Sequence, residues 1–74
     1  MEHKQINMLA TAQMLQQKFQ ELGMSNLDIS NEFDVSLSTV HYWLKGKKMP
    51  SLYHFVAIAG VLHCGLDNLV IISE

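Results

Sequence analysis

Residues 25–46 read SNLDISNEFDVSLSTVHYWLKG, and this stretch decides the fold. Ser25, followed three residues later by Asp28, is a capping box, which predicts that a helix begins at this serine. The helix is expected to end near Phe33, because Asp34 tolerates the left-handed conformation in which a chain leaves a helix. The stretch therefore opens with one short helix and a tight exit.

A second short helix is predicted from Leu37 to about Leu44. Ser36 is a good N-cap for it, and Gly46 is a good residue to close it. One apolar face is expected from three residues spaced three and four apart: Val40, Trp43 and Leu44. The opposite face is then free, and a short helix with a free outer face is the shape that enters a DNA major groove.

These residues form a longer pattern, Ser25-Asn26-x-x-Ile29-Ser30-x-x-x-Asp34-Val35-Ser36-x-x-x-Val40-His41-x-Trp43-x-x-Gly46-x-x-x-Pro50-Ser51. The pattern resembles the Cro and lambda-repressor-like helix-turn-helix family, also called the XRE family, without an insertion over roughly residues 15 to 70. The resemblance implies an all-α, compact five-helix lambda-repressor-like fold. Residues 1–74 are then a single domain, with the helix-turn-helix at 25–46.

The chain departs from the usual family pattern at a few positions. Ser30 stands where the family has Ala, and Asp34 where it has Gly. Members often carry an Arg and a Glu as an ion pair at the positions of Phe19 and Leu44. Because a buried ion pair can be replaced by packed apolar side chains without loss of stability, we expect these two residues to pack together near Trp43.

The remaining helices are predicted from composition and periodicity. The first is expected from about Lys4 to Leu22, the fourth from Leu52 to about Leu62, and the last from Leu66 to about Val70. The first helix should turn one apolar stripe toward the core: Met8, Ala12, Leu15, Phe19 and Leu22.

The tail, residues 69–74, is unusually apolar for a chain end. Val70, Ile71 and Ile72 exceed what one face of a short helix can bury. We expect them to form a homodimer contact, whether as helices or as strands, and the alternative is that they pack back onto the first helix.

Composition limits the class of protein. With 49% hydrophobic and 16% charged residues, the 74-residue chain can bury a core as one small domain. Its single cysteine, Cys64, allows no internal disulfide, no apolar run reaches membrane-spanning length, and the first residues lack a signal-peptide pattern. These features favour a soluble cytoplasmic protein.

Charge argues in two directions. Five lysines, no arginine and seven acidic residues give a net charge of -2, whereas a basic surface is typical of a DNA-binding protein. However, Lys45, Lys47 and Lys48 cluster directly after the second helix of the motif. A protein docked on DNA through that helix would present these lysines to phosphates.

No catalytic or metal-binding pattern emerges from the four histidines, His3, His41, His54 and His63. None of them has the spacing of a zinc site, and no nucleophile, base and orienting acid can be assembled. We therefore expect no enzyme activity, no bound metal and no cofactor.

The family resemblance implies where DNA would be contacted. The residues that correspond to base-contacting positions, or lie beside them, are Leu37, Ser38, His41 and Tyr42. The residues expected at phosphates are Asn26, Thr39, Lys45, Lys47, Lys48 and Ser51. For Thr39 an alternative is a hydrogen bond backward to the backbone of its own helix, instead of a contact with DNA.

The favoured interpretation is a sequence-specific transcriptional regulator, a small Cro-type repressor that binds an operator in double-stranded DNA as a homodimer. The alternative is a helix-turn-helix protein-interaction module, such as an antirepressor or adaptor, that binds another regulator instead of DNA. Net charge and the lack of arginine favour the alternative, whereas the lysine cluster and the intact motif spacing favour DNA.

Overall fold

A computed structural model of the protein describes residues 5–70 and 72–73. Four helices of at least eight residues build the domain: α1 (Met8–Glu21), α2 (Asn26–Phe33), α3 (Leu37–Lys45) and α4 (Leu52–Leu62). A single helical turn follows, α5 (Leu66–Leu69). The predicted all-α helix-turn-helix class is confirmed. None of the described helices is long and apolar enough to cross a bilayer.

The prediction of five full helices is wrong, because α5 is one turn of four residues. Gly65 precedes it without a side-chain cap, and Val70 has already returned to an extended conformation, with φ -93° and ψ 116°. One turn gives few hydrogen bonds for the residues it orders, and a β-branched residue such as Val70 suits extended backbone. The helical part of the described residues is therefore four helices followed by one further turn.

The first helix begins later than the sequence predicts, at Met8 instead of Lys4. Asn7 is its N-cap, and the Asn7 side chain accepts a hydrogen bond from the backbone N–H of Ala10 at 3.0 Å. Before it lies a two-residue strand, β1 (Gln5–Ile6), which pairs antiparallel with β2 (Ile72–Ser73) near the other end of the chain. Backbone pairing with a distant segment therefore replaces the first predicted turn of α1.

The core stripe of α1 is shorter than predicted. Ala12, Leu15 and Phe19 are fully or almost fully buried, as expected. Met8 and Leu22 were wrongly assigned to the core: they are 39% and 51% exposed. Met8 is the first residue of α1, and Leu22 is the C-cap that follows its last residue.

An aromatic row links the four helices. The ring of Phe19 packs edge-on against Phe33 with centroids 6.1 Å apart, and Phe33 does the same against Trp43 at 6.3 Å. The imidazole of His54, in α4, lies 5.3 Å from the Trp43 ring. Phe19 therefore has Phe33 as its aromatic neighbour, while Leu44 is half-buried against the same core.

The helix-turn-helix is held by local hydrogen bonds. Ser25 and Asp28 form the predicted capping box: the Ser25 Oγ accepts from the Asp28 N–H at 3.1 Å, and the Asp28 carboxylate accepts from the Ser25 N–H at 2.9 Å. Asp34 ends α2 in the left-handed conformation, with φ 53°, as predicted. The Ser30 hydroxyl donates to the carbonyl of Val35 across the turn. The sequence showed that Ser30 departs from the family pattern, but it did not indicate this hydrogen bond.

We expect Asp28→Asn to remove part of the acid sensitivity of the fold. The hydrogen bond from the Ser25 backbone, and then that from its side chain, lower the pKa of Asp28 below its ordinary value of 3.8. Because the folded-state pKa is the lower one, this stabilisation is complete above pH 3.8 and is lost as the pH falls through the folded-state pKa.

Urea unfolding of the wild type and of Asp28→Asn, repeated from neutral pH to acid, checks this prediction. The wild type should be the more stable protein at neutral pH, and the difference should shrink below the ordinary pKa of an aspartate. A difference that stays constant down to full protonation would contradict the role given to this carboxylate.

Candidate nucleic-acid interface

An open groove lies where the start of α2 meets the outer face of α3. Its volume is about 450 Å³. Five side chains line it: Asn26, Leu37, Ser38, His41 and Tyr42. The last four are all of the residues predicted to contact bases. The groove therefore brings one predicted phosphate contact, Asn26, next to the predicted base contacts.

The helical period of α3 explains why these side chains share one surface. Val40 and Trp43 are buried and anchor the helix to the core. Leu37, His41 and Tyr42 lie on the other side and are exposed. Burial of the inner face thus fixes which residues the helix presents outward.

Thr39 is engaged within its own helix. Its hydroxyl lies 3.0 Å from the Ser36 Oγ, and that oxygen also accepts from the Thr39 N–H at 3.1 Å. Thr39 is half-buried. The hydroxyl thus has a partner at the start of its own helix, but this partner is the Ser36 side chain and not the backbone that the sequence suggested.

The chain reverses at Gly46, and the side chain of Lys48 lies against α3. Its ammonium nitrogen lies 5.1 Å from the centroid of the Tyr42 ring, a cation–π arrangement. The backbone N–H groups of Lys47 and Lys48 both donate to the Tyr42 carbonyl, at 3.0 and 3.4 Å. Tyr42 is therefore bound by side chain and by backbone to the loop of residues 46–51, here called the lysine loop, although Lys48 lies six positions after Tyr42.

The part of the chain that forms α3, the lysine loop and α4 is locally positive. Lys45, Lys47 and Lys48 are all exposed. Residues 35–66 contain these three lysines and no Asp or Glu, so α3, the lysine loop and α4 carry a formal charge of +3 within a chain of net charge -2. The excess of acidic residues lies elsewhere in the sequence.

Gly46 sets the position of the lysine loop. It has φ +75°, and a Cβ built on it would lie 3.2 Å from both the Leu9 Cα and the Met8 carbonyl oxygen. The start of α1 therefore packs directly on this turn. Only glycine combines this close backbone approach with an unstrained left-handed conformation.

Ser51 is exposed and caps α4. Its Oγ accepts from the His54 N–H at 3.3 Å and lies 3.0 Å from the His54 Nδ1. The serine predicted at a phosphate thus already serves its helix and holds the histidine that packs on Trp43.

Two of the three residues predicted to form the dimer contact lie in the described part of the chain. Val70 is half-buried against the core of its own chain. The backbone of Ile72 pairs with Ile6 in the two-stranded ribbon. Ile71 lies outside the described residues, and the dimer stays a prediction.

Metal binding finds no support among the side chains that the structure describes. No group of three or more His, Cys, Asp or Glu residues comes together there as a set of ligands.

Comparisons with known proteins give one family match and two similar solved structures. A sequence family described as helix-turn-helix matches residues 15–69. A crystal structure of a transcriptional regulator from Listeria innocua superposes with a TM-score of 0.78 at 28% identity, covering 86% of this chain and 61% of the other. This chain thus spans about three-fifths of that protein's length. The comparison with curated protein sequences gives no match.

A second solved structure has the same fold over nearly its full length. It is the restriction-modification controller protein C.AhdI from Aeromonas hydrophila, with a TM-score of 0.75 and 19% identity, covering 85% of this chain and 96% of the other. At this identity the likeness concerns the fold alone.

Proposed function

The chain belongs to the XRE-type helix-turn-helix family, and from this premise we propose that it is a transcriptional regulator that binds an operator in double-stranded DNA. The observation that carries the proposal is the groove on the outer face of α3. It gathers Leu37, Ser38, His41 and Tyr42, which are all exposed, beside a locally positive loop.

The proposed docking places the first turns of α3 against base edges in the major groove. Lys45 and Lys47 extend from the far end of α3 and from the loop after it, where the sugar-phosphate backbone passes. Asn26, the first residue of α2, lies at a helix N-terminus, whose N–H groups favour an anion such as phosphate. Base contacts then specify the site, and the surrounding groups position the domain.

We further propose that two copies bind a pseudo-palindromic operator, with half-sites about one helical turn, roughly 34 Å, apart. A helix of nine residues such as α3 reaches only a few base pairs, so one domain alone selects a short sequence. The apolar tail, with Val70, Ile71 and Ile72, is the proposed contact between copies. In this role the protein is a small repressor of the Cro type.

The second candidate is a protein-interaction module that binds another regulator. Two observations favour it: the negative net charge without arginine, and exposed apolar side chains on the outer face of α4, Leu52, Tyr53 and Val56. The two functions differ in one property, because only DNA binding displaces counterions from a polyanion.

Fluorescence anisotropy with a labelled random duplex, at several salt concentrations between about 50 and about 200 mM, distinguishes them. A DNA-binding protein should give a logarithm of the binding constant that falls linearly with the logarithm of salt concentration. The absence of duplex binding at the lowest salt concentration would favour the interaction module. Binding of two chains to a selected operator would support the dimer, and saturation by one chain would oppose it.

In the same titration, Lys47→Ala combined with Lys48→Ala should reduce the salt slope by about two units, since each phosphate contact contributes about one. Lys18→Ala is the matched control, because Lys18 lies in the last turn of α1 and outside the lysine loop. An unchanged slope in the double variant would remove both lysines from the interface.

A further inference from the structure

We propose that the groove on α3 selects half-sites that contain thymine, and that Leu37 is the reader, packing on the thymine C5-methyl group. This inference rests on the proposed function, since it requires α3 to enter the major groove. It goes further by naming the feature of the base pair that the protein recognises.

The placement of Leu37 supports this assignment. It is the first residue of α3, it is 51% exposed, and it lines the groove. It belongs neither to the buried core cluster nor to the partly buried side chains packed against that cluster. An apolar side chain with half of its surface in water gains most when a ligand covers it with another apolar group.

The groove lacks the side chains that read guanine most strongly. Arginine or lysine reads guanine through paired hydrogen bonds to O6 and N7. The chain has no arginine, no lysine lines the groove, and the ammonium group of Lys48 already lies over the Tyr42 ring. The Ser38 hydroxyl can donate to or accept from any base, so it discriminates poorly.

The thymine methyl is the one apolar group that a base pair presents in the major groove. Covering it with the exposed part of Leu37 removes both apolar surfaces from water. Burial of one methyl-sized group corresponds to about a fourfold change in the binding constant. A fourfold preference for a base that carries the methyl group is modest for one contact. In a symmetric operator each half-site contributes this free energy once, so the total is doubled.

The test starts from a duplex that the full-length wild-type protein selects from a random pool. Each thymine of that duplex is replaced in turn by deoxyuridine, which removes only the C5-methyl group and keeps every base-pairing hydrogen bond. We expect one position per half-site at which affinity falls about fourfold. For Leu37→Ala, the same replacement should have no effect at that position.

Leu27→Ala is the matched control. Leu27 is an exposed leucine, 57% accessible, in the first turn of α2, and it does not line the groove. This variant should keep the full sensitivity to deoxyuridine. Both leucines are exposed, so both variants should unfold at temperatures close to the wild type, which circular dichroism checks.

The outcomes separate this inference from the function on which it rests. Salt-dependent binding with no deoxyuridine effect at any position would overturn methyl reading and leave DNA binding intact. A deoxyuridine effect that persists in Leu37→Ala would also overturn it, because another residue would then be the reader. Failure to recover any duplex would overturn both proposals.

Discussion

Replacing Phe19 by Ala should lower the free energy of unfolding by about 3 to 5 kcal/mol, the cost of emptying a large aromatic site in a core. Phe19 is 1% exposed and packs edge-on against Phe33, so its removal takes away both buried area and an aromatic contact. Native domains have only about 5 to 15 kcal/mol of stability, and a chain of this size is near the lower end. A large unfolded fraction at 25 °C is the expected result.

Circular dichroism with urea titration measures this effect. Leu22→Ala is the control, since it truncates an apolar residue just after the same helix, at a position that the solvent reaches. Its cost should stay below about 1 kcal/mol, because a half-exposed side chain loses little buried area. Equal losses in the two variants would show that the aromatic row does not hold α1 to α2.

Gly46→Ala should lower the free energy of unfolding by about 2 to 3 kcal/mol. Alanine at φ +75° is strained by about 1 kcal/mol, because this is the left-handed region. In addition, its Cβ would lie too close to backbone atoms of Leu9 and Met8, and α1 would have to move to relieve this contact. The contact also positions the lysine loop. We therefore expect weaker duplex binding in addition to the lower melting temperature.

Gly23→Ala separates the cost of backbone strain from the cost of the close contact with α1. Gly23 also has a positive φ, +70°, but a Cβ there would meet no atom within 4 Å. Its cost should be the strain alone, about 1 kcal/mol. If urea unfolding gives the same loss for both glycines, the close approach of α1 to the turn contributes nothing to stability.

The features predicted correctly from the sequence depend on near neighbours in the chain. Three of them are helix ends whose hydrogen bonds join residues about one turn apart: the capping box at Ser25 and Asp28, the end of α2 at Asp34, and the end of α3 at Gly46. The apolar period of α3 likewise identified Val40 and Trp43 as buried. It thereby identified the side chains of α3 that now share one groove.

Other features could not be predicted because they depend on segments that are distant in the chain. The helix period of α1 continues through Met8, yet this residue is 39% exposed, because periodicity alone does not show how far other elements cover a helix toward its end. The cation–π contact between Lys48 and Tyr42 requires the chain to reverse at Gly46, and no helical spacing of three or four encodes it.

Local chemistry along residues 25–46 was therefore enough to specify two short helices, the turn between them and the outward face of the second. Folding added contacts between distant segments of the chain: the pairing of Ile6 with Ile72, and the contact of the start of α1 with Gly46. Caps and periodicity act between residues a few positions apart, whereas these contacts depend on where whole helices come to lie.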